Sequence, residues 1–399
     1  MRAVEDILTE LGIALLTQEE IVDIQEKYRK ALLDGMEGES ELPMSPSYLD
    51  PVDPKTLPDG KQALVIEMGG SNLYVGIVTS AAGEVRVTES HRVAFSKRVY
   101  ESPEEFFNTV GVLMEPFIGN TPPDALGIIY SWGGRSIKKS AGNDAVIGEG
   151  NNGKLAKEFY IPGIESATVR EHMSKYLGEK YPFLKTESIA TMNDTVAVLL
   201  ACGAQVGGVV ATGFNVAVET PQGIANTESA GFNGIPMSES LKQVNAASMR
   251  PGSGITEKVL SGLYAPEHFK IAVNTLREAG YDIAVPDEVD AVIMSGYLEK
   301  ESDEEQDKIF RTITKLIYDR SAQLVGVIIG TAFKTFHDDV AGEVLVPVEG
   351  SLFWGAPGYV DVATKAASLA SGKTVKFINI PHAGRLGAGV AALGTLLQK

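Results

Sequence analysis

The chain has 399 residues, 44% of them hydrophobic and 22% charged, with 52 acidic against 35 basic side chains and a net charge of −17. At ~150 residues per domain that length points to two domains, and the composition excludes a disordered chain. The charge works against a nucleic-acid backbone as partner, and no 18-residue run is free of glycine breaks or polar residues, which excludes a membrane-spanning helix. The single cysteine, Cys202, allows no internal disulfide, and its apolar setting LLACGA makes it a small core residue rather than a nucleophile. Five histidines without ligand spacing give no structural zinc site.

The first 35 residues read as helical. The opening MRAVEDILTELGIALLTQEE carries acids where a secretory signal would be basic, so it is expected to be an amphipathic helix of the mature protein, and the chain is expected to be cytoplasmic. Residues 37–60 form a connector with Pro43, Pro46, Pro51, Pro54 and Pro58. Two apolar runs, residues 64–66 and 73–78, then flank the corner Gly69-Gly70-Ser71-Asn72, a hairpin pattern with the acid Glu67 just before the turn. Strands follow over residues 85–95 and 125–131, and helices over 103–117 and 168–181. The hairpin pattern returns in GGVVATGFNVAVE, residues 207–219. Its Asn215 lies 143 positions after Asn72 (215 − 72), which suggests two domains on one plan. Helices are expected over residues 256–263, 266–279 and 305–336. A third corner joining apolar strands lies in EVLVPVEGSLFWG, residues 343–355, and the chain ends in a small-residue helix.

A glycine corner alone is most simply a turn. Three of them, each with a hydroxyl or amide, suit an anion better, because exposed backbone N–H groups form concave phosphate sites and glycine leaves no Cβ in the way. The sequence has neither a Walker A pattern nor a strand-linked G-x-G-x-x-G. Between the first two hairpins, SIATMNDTVAVLLACGAQ places Asp194 at the start of an apolar helix, where a lone aspartate is most simply a cap. Glu228 falls in a later loop with Asn226 and Thr227, and Glu257 follows the loop Pro251-Gly252-Ser253-Gly254. Together with the amides nearby, these carboxylates suit the adjacent hydroxyls of a sugar.

From about Ser40 to the C-terminus the order of motifs resembles the hexokinase family, the eukaryotic-type sugar kinases of the actin-like ATPase superfamily. SELPMSPSYLDPVDPKTLPDGKQALVIEMGGSN is similar to its "LPTY … PDG … DLGGTN", which implies the first phosphate loop at Gly69, Gly70, Ser71 and Asn72. LGIIYSWGG is similar to "LGFTFSFP" and implies a sugar-binding Ser131. AKEFYIPGIESATV resembles "TKGFxxxGVEGxDV" and implies a sugar contact at Lys157. TMNDTVAVLLA resembles "VNDTVGTL", with Asn193 on the sugar and Asp194 as the catalytic acceptor of the hydroxyl proton. ATGFNVAVE resembles "GTGTNACY", giving Thr212 and Gly213 to the second phosphate loop and Asn215 to the sugar. NTESAGFNG and RPGSGITEKVLSGLY are similar to "NTEWGAFGD" and "NPGQQRFEKMISGMY", which puts Glu228 and Glu257 on sugar hydroxyls. VPVEGSLFW resembles "VGVDGSVYK", the adenosine-side corner at Gly350 and Ser351.

The resemblance implies an α/β, two-domain actin-like ATPase (ribonuclease H-like) fold. Each domain would be a mixed five-stranded sheet flanked by helices, with a cleft between the domains. Residues 1–60 would be a helix and connector packed on the large domain, 61–192 the small domain joined by a C-terminal helix 385–399, and 193–384 the large domain. It implies ATP and Mg²⁺, with Glu67 near the metal through water, and as partners a hexose and a nucleotide, with no nucleic acid and no membrane, in a monomer or homodimer. Several positions depart from the family's pattern. Glu67 stands where the family has aspartate, Tyr74 replaces an arginine, and Ala156 replaces a threonine. PHAGRLGAGV lacks the acids of "EDGSGKGAAL" and has its basic residue, Arg385, displaced by one. Three readings follow: an ATP-dependent hexose 6-kinase, a sugar-binding sensor with impaired catalysis, and a kinase for another sugar or phosphoryl donor.

Overall fold

The computed structural model describes residues 2–69, 72–118, 123–139, 143–148, 152–155, 159–180 and 188–397. Two helices, α1 (Val4–Glu10) and α2 (Gln18–Met36), occupy the region expected to be helical. Thr17 starts α2 with a capping box: its Oγ1 accepts from Glu20 N at 3.2 Å, while Glu20 Oε2 accepts from Thr17 N at 2.8 Å. There follow β1 (Ser45–Pro46), β2 (Lys61–Met68), β3 (Asn72–Ala81), β4 (Glu84–Ala94), α3 (Pro103–Met114), β5 (Ala125–Tyr130), β6 (Gly134–Lys138), β7 (Asn143–Ile147), α4 (Val169–Lys180), β8 (Ile189–Asn193) and α5 (Asp194–Leu200). Next come β9 (Val206–Val210), β10 (Phe214–Thr220), β11 (Gly223–Asn226), α6 (Glu239–Ala247), α7 (Ile255–Leu260), α8 (Ala265–Glu278), α9 (Ala291–Glu299) and α10 (Glu305–His337). The chain closes with β12 (Glu343–Glu349), α11 (Ser351–Gly355), α12 (Tyr359–Ser371), β13 (Thr374–Ile378) and α13 (Ala383–Gly394).

These elements form two compact units. The first comprises Met1–Met44, Gly208–Val216 and Thr227–Asn379, the second Ser45–Gly207, Ala217–Asn226 and Ile380–Lys399. The units change at 44, 207, 216, 226 and 379.

The second unit is built on a five-stranded sheet in the order β4-β3-β2-β5-β8. β4, β3 and β2 pair antiparallel, and β2, β5 and β8 pair parallel. All six residues of β5 are buried, the pattern of a central parallel strand covered on both faces. Successive residues alternate between those faces: Leu64, Ile66, Leu126 and Ile128 join Phe106, Val110 and Met173 of α3 and α4, while Ala63, Val65 and Ile129 join Ala197 and Val390 of α5 and α13. The separate hairpin β6–β7 was not expected.

In the first unit β12 runs parallel to β13 and to β9. The 33-residue α10 lies against α12, where Gly326 and Gly330 meet Ala363, Ala366, Ala367 and Ala370 at distances only small residues allow. Within the residues of the second unit the two-residue β1 pairs with β11, which makes the second sheet one of six strands rather than the expected five. The third glycine corner joins β12 to the helix α11, not to another strand. Among the described residues no helix is long and apolar enough to cross a membrane.

Candidate functional site

In the second unit the register of the sheet brings the expected residues to one edge. Met68, Tyr130 and Asn193 are the last residues of the three neighbouring parallel strands, with Met68 opposite Tyr130 and Tyr130 opposite Asn193. The carboxyl ends of parallel strands are where α/β sheets carry ligands. Gly69 and Asn72 close the hairpin through a 3.0 Å bond from Gly69 N to Asn72 O. Ser131 follows β5 and donates its N–H to Met68 O at 3.2 Å. Asn193 caps α5, its Oδ1 accepting from Thr195 N at 2.9 Å, so Asp194 is the first helical residue. Asp194 Oδ1 accepts from Thr195 N at 2.8 Å and from Thr195 Oγ1 at 3.3 Å, which fixes the direction of its half-buried carboxylate. Gly70, Ser71 and Lys157 lie outside the described residues.

Glu67 is engaged from the other end of the chain. Arg385 of α13 donates Nη1–H to Glu67 Oε2 at 2.7 Å, with the two side chains only 10% and 23% exposed. The same guanidinium lies 4.9 Å from the ring centroid of Tyr74. A cation missing from position 74 in sequence is thus supplied there in space by position 385. Glu67 is engaged by Arg385, and among the described residues no three His, Cys, Asp or Glu side chains gather into an all-protein metal cage; a magnesium ion carried on nucleotide phosphates and reached through water would need no such cage.

In the first unit the second and third corners meet. β9 and β12 are parallel with Glu349 opposite Val209, so the segments that follow them emerge together. Gly350, at φ 143°, lies so close to Val210 that a Cβ would stand 2.0 Å from the Val210 carbonyl oxygen; no other residue fits. The corner 211–213 is tied down by Ala211 N to Gly213 O at 2.9 Å and by Gly262 N to Ala211 O at 2.9 Å. Thr212 and Ser351 line a cavity of about 610 Å³, a volume suited to a small-molecule ligand, together with Leu263, Glu267, Asp290 and Val292.

The carboxylate of Glu257 lies against that corner. A Cβ on Gly213 would sit 3.2 Å from Glu257 Oε1, so the glycine makes room for the acid. Burial raises the pKa of Glu257, against the nearby Lys258 charge, which lowers it. Asn215 is the second residue of β10, inside the strand rather than in the corner, and its Oδ1 accepts from Ser229 N at 3.2 Å. It thereby steadies Glu228, whose backbone is left-handed at φ 54°, ψ 42°. For a residue with a Cβ that conformation costs about 1 kcal/mol or more and marks a position held for a purpose. Tyr28 of α2 supports the same turn: its hydroxyl lies 2.5 Å from Ser229 Oγ, and burial pushes its pKa up to about 12.

Two sequence models described as hexokinase match the chain, one over residues 4–204 and the other over residues 283–394. The chain belongs to the hexokinase family. It is 24% identical to a hexokinase of Schistosoma mansoni, over 98% of this chain and 96% of that one. Against Hexokinase-1 of Pongo abelii it is 23% identical over 66% of this chain, but it spans only 31% of that relative's length. The solved structure of the hexokinase from Schistosoma mansoni complexed with glucose superposes with a TM-score of 0.77 at 21% identity, covering 98% of each chain. The expectation of the actin-like ATPase fold of the hexokinases is borne out by that likeness.

Sequence reasoning named the corners and carboxylates but not their supports. Tyr28, Lys258 and residues 289–295 were not singled out. Asp290 could have been, since it precedes an apolar run and caps α9 by accepting from Ile293 N at 2.7 Å. Cys202 is half-buried rather than a core residue, and burial raises its pKa, which keeps it a thiol.

Proposed function

We propose that this chain transfers the γ-phosphoryl group of ATP, supplied as its magnesium complex, to the 6-hydroxyl of glucose, mannose or a close relative. The observation that carries this reading is a sequence of three features in the first unit: a cavity of about 610 Å³, the glycine corner at Thr212 and Gly213, and the buried carboxylate of Glu257 against that corner. A nucleoside, its phosphates and a hydroxyl-bearing acceptor need such neighbours in that order. Gly69, Gly70, Ser71 and Asn72 would serve the phosphates with Thr212 and Gly213, while Gly350 and Ser351 would serve the nucleoside. Ser131, Lys157, Asn193, Asn215, Glu228 and Glu257 would hold the sugar's hydroxyls.

Asp194 would take the proton as the 6-oxygen bonds to the γ-phosphorus and the bond to the β-phosphate oxygen breaks, releasing ADP. Asp194 is the first residue of α5. A loose transition state, from which the proton leaves late, asks little of the acceptor's basicity. ADP release with magnesium and ATP is to be measured against glucose, mannose, fructose and N-acetylglucosamine, beside Asp194→Ala. The expected result is sugar-dependent turnover that falls by about 10²–10⁴-fold in the variant. Sugar binding by calorimetry without turnover in the unaltered protein would overturn the kinase reading.

A further inference from the structure

Immediately after Glu257 the chain carries a lysine that is 3% exposed. Lys258 Nζ lies 2.8 Å from Asn245 Oδ1, 2.8 Å from the Arg250 carbonyl oxygen and 2.7 Å from the Ser253 carbonyl oxygen. An ammonium has three protons to donate, and here are three acceptors that favour its charged form; burial works the other way and lowers its pKa, against the Glu257 charge, which raises it. Asn245 Oδ1 also accepts from Gly252 N at 2.9 Å, so one amide joins the lysine to the middle of the loop. The lysine's own carbonyl is fixed in turn: it lies 2.8 Å from His268 Nε2, while His268 Nδ1 lies 2.6 Å from Ser240 Oγ. Burial lowers the pKa of His268 to about 4, so the ring is neutral. Its Nε2–H therefore donates to the carbonyl, and its Nδ1 accepts from the serine.

We propose that Lys258 is a positioning residue for the sugar: by tying residues 250–253 to Asn245 it sets the loop and helix start from which Glu257 reaches its place beside Gly213. This rests on the assignment of Glu257 to a hexose. The loop before α7 contains Gly252 and Gly254, both with left-handed backbones, and Arg250 and Ser253 are exposed, so without the lysine it is the most easily displaced support of the carboxylate. The charge acts on Glu257 directly as well. The groups bearing on that carboxyl are Lys258, which favours its ionised form, and Tyr264, whose own pKa is raised by burial and by the Glu257 charge.

The test is calorimetric binding of D-glucose to Lys258→Met and Asn245→Ala, with MgATP binding as the comparison and binding repeated from neutral to acid pH. Both variants are expected to bind glucose more weakly by on the order of 10–100-fold, with MgATP binding unchanged. Sugar binding needs the carboxylate and fails as pH falls through the Glu257 pKa, so Lys258→Met should move that failure to higher pH. Asn245 is half-buried at the end of a helix, and its variant reads the loop even where the lysine variant does not fold. Folded variants that bind glucose as tightly as the parent, or that lose MgATP binding equally, would overturn the proposal. Parent protein that binds none of the hexoses would instead overturn the assignment of Glu257, and this role of Lys258 with it.

Discussion

Glu67 shows how one residue's meaning depends on what faces it. By sequence it is an acid before a phosphate corner and therefore a candidate neighbour of magnesium; in the structure its Oε2 is held at 2.7 Å by Arg385, which also lies over Tyr74. Pairing two charges that are 10% and 23% exposed leaves each costly to strip of the other. Replacing Glu67 by Gln keeps the shape and removes the charge, so the buried guanidinium loses its counter-ion. The expected loss is about 1–3 kcal/mol, discounted from the value for a fully buried pair because some solvent reaches both. Scanning calorimetry of Glu67→Gln should show that loss as a lower melting temperature, while the magnesium concentration needed for half-maximal turnover stays where it was. A raised magnesium requirement at an unaltered melting temperature would return Glu67 to the metal.

At the scale of elements, α5 and α13 hold in place the edge of the second unit that carries Asp194. α5 begins with Asp194, and α13 packs on it so closely that a Cβ on Gly387 would stand 1.8 Å from the Ala197 carbonyl oxygen. A backbone atom cannot turn aside as a side chain can, so the helices themselves must move apart. Gly387→Val should cost about 3 kcal/mol or more in stability, and it should lower turnover in whatever protein stays folded, because Asp194 moves with α5. Gly296→Ala, on the exposed side of α9 with no atom beyond its own helix within 4 Å of the added Cβ, is the control and should lower neither. Equal behaviour of the two variants in thermal melts and initial rates would refute this account of the contact. Much of this arrangement was legible locally. The apolar runs of β2, β3, β9 and β10 alternate or run continuously between glycines, and Ser102-Pro103 and Asn193-Asp194 announce their helices. The hairpin β6–β7 was not legible: GRSIK and NDAVI have too few apolar residues to set a period, and one strand is exposed where the other is buried. The pairing of Glu67 with Arg385 spans 318 positions, beyond the reach of any local pattern. The loop tie made by Lys258 was equally hidden, since a lysine in sequence reads as solvent-facing until its burial is seen.

The molecule as a whole carries a net charge of −17, and the cavity proposed for the nucleoside has Glu267 and Asp290 but no lysine or arginine among the described residues of its lining. An approaching nucleotide triphosphate, negative even when bound to magnesium, therefore meets a repulsive field before it meets any backbone donor. A hexose carries no charge and does not feel that field. The Debye length shrinks from about 30 Å at 0.01 M salt to about 10 Å at 0.1 M, so added salt should screen the long-range repulsion while leaving the short contacts of a bound ligand largely intact. The kcat/KM for MgATP should thus rise with potassium chloride over that range at fixed free magnesium, whereas kcat/KM for glucose at saturating MgATP should stay flat. Most charged-ligand sites give the opposite slope, because local cations attract the ligand and salt weakens them. A kcat/KM for MgATP that falls with salt would therefore mean that cations near the phosphates outweigh the field of the whole chain. Arg385 would be the first to examine, since releasing Glu67 would free its charge for the nucleotide.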